Sequence, residues 1–114
     1  MIHANHPNEL DDAFGLAITK LKQIGVTILN QSVLLKGVND NPEVLIQLSE
    51  RLFEYGVLPY YLHLLDKVQG AAHFEVDIVH AKELHIEIMK QLPGYLVPKL
   101  VQEIAGQPNK TPII

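Results

Sequence analysis

Two kinds of apolar pattern alternate along this chain of 114 residues, and that alternation restricts the fold more than any other feature. Leu10, Phe14, Ala17, Ile18 and Leu21 recur at three- and four-residue steps, which places them on one face of a helix. Val26–Leu35 follows as an almost continuous apolar run, the pattern of a strand buried on both faces as parallel strands are. Val44, Leu45, Leu48, Leu52 and Phe53 return to helical spacing, and Leu58–Leu65 is a second strand-like run. A third helix is expected from about Val76 to Gln91, with Ala81, Leu84, Ile88 and Leu92 on one face. Helix, strand, helix, strand, helix is the signature of βα units on a parallel sheet.

The breaks between these segments carry their own chemistry. Ile2–Pro7 is polar and reads as a strand end or loop, and Asn5 or Asn8 is the expected cap of the first helix, with Asp11 and Asp12 at its positive end. Gly25 and Gly56 stand just past the last periodic residues, where a left-handed cap needs glycine. Asn41-Pro42 reads as a cap followed by a first-turn proline. Asp66–Glu75 is expected to be a loop, and Pro93-Gly94 to stop the third helix. Tyr95–Ile104 is a last candidate strand, interrupted by Pro98, and Ala105–Ile114 reads as a loop. The fold class is α/β with a parallel sheet. Two or three strands do not close a barrel, which takes about eight, so the expectation is part of a larger unit. The alternative is a small three-layer domain.

Charge and composition exclude several functions. The net charge is −4 and the basic residues are scattered, unlike the clustered patch of a nucleic-acid surface. No apolar run approaches the ~20 residues of a membrane-spanning helix, so neither nucleic acid nor membrane is an expected partner. Cysteine is absent, which excludes disulfides and thiolate metal sites within these residues. No charged leader precedes an apolar stretch, and a cytoplasmic location is the expectation.

Motifs in a fixed order then add what periodicity does not. They are His3-Ala4-Asn5-His6-Pro7-Asn8-Glu9; Asn30-Gln31-Ser32-Val33-Leu34-Leu35-Lys36-Gly37-Val38-Asn39-Asp40; Tyr60-Tyr61 with Asp66; Gly70 to His73-Phe74; Pro93-Gly94-Tyr95 with Val97-Pro98; and Lys110-Thr111-Pro112. Their order and spacing resemble the lysine 2,3-aminomutase family of the radical S-adenosylmethionine superfamily across nearly the whole chain. The resemblance implies the C-terminal βα units of a partial radical S-adenosylmethionine (β/α) barrel over residues 1–104, and a pyridoxal-phosphate-lysine loop and tail over 105–114. It implies an isomerase that moves the α-amino group of free L-lysine to the β-carbon. It also implies pyridoxal 5′-phosphate, S-adenosyl-L-methionine and a 4Fe-4S cluster in the full-length parent. The family's cluster cysteines lie upstream of such segments, so this piece alone is expected to be inactive.

The same resemblance assigns residues. Lys110, directly before Thr-Pro, corresponds to the lysine that holds pyridoxal phosphate; its amine and long stem suit that role. A run of glycines precedes that lysine in the family, whereas Gly106-Gln107-Pro108-Asn109 stands here. Asp66 and Glu103 match two acidic residues that hold the substrate's side-chain ammonium, with Glu103 where Asp is usual. Gln31, His3, His6 and Asn5 are expected on the S-adenosylmethionine side. His3-x-x-His6 lacks a third ligand nearby, and Asn41 stands where some members place a zinc cysteine, so no metal site is expected. His80 and His85, five apart, do not share a helical face and are both expected at the surface.

The tail, the Pro93–Lys99 stretch and Glu103 resemble the branch that makes (R)-β-lysine for elongation factor P. A lysine-catabolic aminomutase is the alternative within the family. An alternative of another class is a non-catalytic α/β piece that oligomerises through open strand edges, and a homo-oligomer is expected.

Overall fold

The computed structural model describes residues 2–64, 76–102 and 111–112. A single 3-10 turn, Pro7–Glu9, leads into α1 (Asp12–Gln23); β1 (Leu29–Leu34), α2 (Pro42–Glu54), β2 (Leu58–Leu64) and α3 (Ile78–Gln91) follow. A second 3-10 turn, Gly94–Leu96, precedes β3 (Lys99–Gln102), and β4 is Thr111–Pro112. The sheet order is β1-β2-β3-β4. β1, β2 and β3 are parallel, and β4 returns antiparallel to β3. This is the α/β class with a parallel sheet that the alternation predicts.

Local chemistry explains most boundaries. Asn41 Oδ1 accepts from the Glu43 N–H at 2.8 Å and Pro42 opens α2. Gly25 and Gly56 both sit at φ 80°, closing α1 and α2 in the left-handed region that favours glycine. α1, however, is capped by Asp11, whose Oδ1 accepts from the Phe14 N–H at 2.9 Å, and not by Asn5 or Asn8. His6 and Glu9 instead form a capping box around the first 3-10 turn.

The core lies on one side of the sheet. Leu34, Leu62 and Leu100 from three strands meet Leu45 of α2 and Ala81, Leu84 and Ile88 of α3. A second cluster joins Leu10, Ile18 and Ile28 to Leu48, Leu52 and Val57.

Several expectations are corrected. β1 is shorter than Val26–Leu35 and is not buried on both faces: its residues alternate between half-buried and buried. Val26 lies before β1 and is 47% exposed. Phe53 in α2 and Leu21 in α1 are exposed, because each lies at the margin of its apolar stripe. His85 is not a surface residue. It is four residues after Ala81 and next to Leu84, so it falls within the buried stripe of α3. Its Nε2–H donates to the Pro98 carbonyl at 2.8 Å, while Nδ1 is buried without a partner among the described residues. His80 is exposed, as expected. Thr111–Pro112, read as loop, pairs with β3.

Candidate active-site face

A parallel sheet with helices on one face leaves the other face to whatever its alternate residues carry. In β1, Asn30, Ser32 and Leu34 are buried on the helical side, and Leu29, Gln31 and Val33 occupy the opposite face. The register runs Gln31↔Tyr61↔Lys99 across three strands, with Val33↔His63↔Val101 as the next row. Gln31, Tyr61, His63 and Lys99 therefore share the face opposite Leu34, Leu62 and Leu100, beside Val33 and the fully buried Val101.

Gln31 and His63 are bonded there. His63 Nε2 lies 2.6 Å from Gln31 Oε1. An amide oxygen accepts only, so the ring donates and carries its proton on Nε2. The Tyr61 ring stands edge-on to His63 at 5.7 Å between centroids and to Tyr60 at 4.5 Å. Lys99 Nζ sits 5.2 Å from the centre of the Tyr60 ring, within cation–π range. The Tyr61 phenol titrates above its ordinary value of 10.0; partial burial is the largest cause, followed by the charge of Tyr60 and a hydrogen bond with it.

The edge of this face is built by amide side chains. Ile2 makes a parallel bridge to Asn30, with its N–H donating to the Leu29 carbonyl at 2.9 Å and its carbonyl accepting from the Gln31 N–H at 3.0 Å. Beyond Ile2 the backbone ladder stops, and side chains replace it. Asn5 Oδ1 accepts from the Val33 N–H at 2.9 Å. Asn39, fully buried, accepts from the Leu35 N–H at 2.7 Å and donates to the Asn5 and Val33 carbonyls at 2.8 and 2.9 Å. At the carboxyl end of β1, Lys36, Asp40, Val76, Asp77 and His80 line a cavity of about 320 Å³.

Of the residues expected on the S-adenosylmethionine side, Gln31 faces the open side and Asn5 braces the end of β1. His6 Nδ1 accepts from the Asn8 N–H at 3.1 Å and so serves the turn. His3 is exposed. Lys110, Asp66 and Glu103 lie outside the described residues. His63 was missed by the sequence reading. Its signal was available: in a strand, residues two apart share a face, so His63 follows Tyr61 onto the side that Gln31 occupies.

No family model matches the chain. Over 109 residues, 96% of the chain, it is 58% identical to the L-lysine 2,3-aminomutase of Haemophilus influenzae. It is 57% identical over 111 residues, 97% of the chain, to that of Escherichia coli. The protein of the same name from Buchnera aphidicola is 47% identical over 108 residues, 95% of the chain. The chain belongs to the lysine 2,3-aminomutase family. It spans about a third, 32%, of the length of each of these relatives. Gln31, Tyr61 and Lys99 bring an amide, a phenol and an ammonium to neighbouring positions of one row of the sheet. The chain holds no cysteine, so it supplies no thiolate to an iron–sulfur cluster.

Proposed function

We propose that this chain forms the later strands of an L-lysine 2,3-aminomutase, with Lys110 as the residue that holds pyridoxal phosphate. The observation that carries the reading is the 58% identity over 96% of the chain to a protein of that activity. The strand ends agree with it. β2 ends at Leu64 and β3 at Gln102, so Asp66 and Glu103 follow closely on the carboxyl ends of two adjacent parallel strands. Ligands of parallel α/β folds collect at that end. Thr111, the residue after Lys110, pairs with Gln102 at the same end of β3.

In this reading Asp66 and Glu103 hold the ε-ammonium of lysine by charge-assisted hydrogen bonds. Gln31, with Asn5, His3 and His6 along the neighbouring edge, lies on the S-adenosylmethionine side. When bound, pyridoxal phosphate would let the amino nitrogen migrate from the α- to the β-carbon, and S-adenosylmethionine with the cluster would supply the 5′-deoxyadenosyl radical that removes the β-hydrogen. Lys110 keeps its amine at the end of a flexible stem, which lets it bind the cofactor and yield it to substrate. The product assigned is (R)-β-lysine, destined for elongation factor P.

The test uses the full-length enzyme under anaerobic reducing conditions with L-lysine, S-adenosylmethionine and pyridoxal phosphate. Chiral chromatography is expected to find (R)-β-lysine. The (S) product would move the enzyme to lysine catabolism, and no β-lysine would end the reading. Borohydride reduction followed by peptide mapping is expected to find the cofactor on Lys110 and to lose it in Lys110→Ala.

A further inference from the structure

Gln31 can meet a ligand in two ways, through its carbonyl oxygen or through its NH2 group, and His63 decides between them. The His63 Nε2–H holds Gln31 Oε1 at 2.6 Å, so the amide's acceptor is engaged within the protein. The hydrogens of Gln31 Nε2 are the amide's donor side, and they call for a ligand oxygen. A carboxylate meets that need best, since hydrogen bonds to an ionised acceptor are stronger than neutral ones. With the amide turned the other way, its oxygen would face the carboxylate and repel it. Lys99 stands in the same row of the sheet, two strands from Gln31, and adds positive charge to this face.

We propose that His63 is a positioning residue, which turns the Gln31 amide so that its NH2 group receives an α-amino-acid carboxylate on the face of the sheet opposite Leu34 and Leu62. The identity of the ligand rests on the aminomutase reading above; the geometry of the pair does not. Both L-lysine and the methionyl end of S-adenosylmethionine carry this group. A structural role for His63 would weaken every ligand alike, whereas a positioning role is specific to the carboxylate.

Equilibrium binding to the intact enzyme, followed by calorimetry, tests this without turnover. The ligands are L-lysine and S-adenosylmethionine, each beside a counterpart that lacks the carboxylate: cadaverine and 5′-methylthioadenosine. His63→Phe keeps a ring against Tyr61 and removes the donor. It is expected to weaken one of the two carboxylate ligands about tenfold and its counterpart by less than about twofold. The ligand that loses affinity identifies the source of the carboxylate. His63→Gln, which restores an N–H donor, is expected to recover most of the loss. Gln31→Ala is expected to weaken the same ligand, and adding His63→Phe to it to cost nothing more, because the two residues act as one unit.

Unchanged affinity in His63→Phe overturns the proposal, as do equal losses with the carboxylate-free ligands or losses that multiply in the double variant. Gln31→Glu serves where His63→Phe does not fold: it keeps the bond from His63 but sets an anionic oxygen against the ligand. Carboxylate binding unaffected by Gln31→Glu overturns the proposal by itself. An enzyme that binds and responds as described but makes no β-lysine contradicts the activity and upholds the pair. One that makes β-lysine with His63→Phe affinities unchanged contradicts the pair alone. One that binds neither ligand contradicts both.

Discussion

Asn30 grips Ala4 by both of its backbone groups: Oδ1 accepts from the Ala4 N–H at 2.8 Å, and Nδ2 donates to the Ala4 carbonyl at 3.1 Å. The Ser32 hydroxyl donates to the same carbonyl at 2.7 Å. One buried side chain thus continues the parallel pairing that begins at Ile2, and Asn5 and Asn39 complete it farther along. An edge held by side-chain amides keeps residues 2–5 beside β1 without requiring them to be a regular strand. The polar residues that make this sequence recognisable are, at Asn30, Ser32 and Asn39, parts of the scaffold that presents Gln31.

Asn30→Ala is therefore expected to destabilise the protein by about 1–3 kcal/mol, since the buried Ala4 N–H loses its partner while the carbonyl keeps the Ser32 hydroxyl. Urea unfolding of the variant and the parent measures this. A loss below about 1 kcal/mol would mean that water replaces the amide, and that the bracket does not hold the edge.

Gly15 makes room for an aromatic ring. A Cβ at this position would lie 2.7 Å from Tyr55 Cε1. Tyr55 stands edge-on to Phe14 at 5.4 Å and its hydroxyl donates to the Leu10 carbonyl at 3.4 Å. Elsewhere in a helix Gly→Ala stabilises by about 1 kcal/mol. Here Gly15→Ala is expected to be destabilising, because the ring has to leave its place between α1 and the end of α2. In a Tyr55→Ala background the same change is expected to be stabilising. A thermal-unfolding double-mutant cycle reads the reversal, and the same sign in both backgrounds would refute the contact.

Tyr61 gives a pH dependence with a definite sign. Its phenol is raised above 10.0 in the folded protein, so the neutral form is favoured by folding. The resulting stability is fully present below the unfolded value of 10.0 and is lost as pH rises through the folded value. Absorbance titration of phenolate is expected to show one tyrosine ionising late, and Tyr61→Phe to remove that step. If the late step survives in Tyr61→Phe, the assignment to this ring is wrong.

The helical elements were legible because their signals are local. Asn41-Pro42, Gly25, Gly56 and the stripe Ala81, Leu84, Ile88 and Leu92 need only neighbours in sequence to be read. What was not legible depends on tertiary contacts. Asn30 and Ser32 look like breaks in an apolar strand until Ala4 comes alongside. His85 looks like a surface histidine until the Pro98 carbonyl arrives from 13 residues away. The Gln31–His63 pair spans 32 residues and follows from the strand register, which no local pattern fixes. The motif resemblance identified the family, but spacing alone does not tell which motif residues build the scaffold and which face the ligand.

The last prediction concerns the isolated chain of 114 residues. Of α1's apolar side chains only Ile18 is fully buried; Leu16 is 66% exposed, and Ile24 and Val26 beyond the helix are 71% and 47% exposed. In a longer array of βα units a neighbouring helix would cover such a face, as layered α/β folds require. Without that neighbour, the exposed groups favour contact between copies of the chain. Light scattering of the isolated chain is expected to show a dimer or larger species, and Leu16→Lys with Ile24→Lys to shift it toward monomer. In the full-length enzyme the same double change is expected to lower stability, because there it would place charge between packed helices. A monomeric isolated chain at high concentration would show that this face tolerates water on its own.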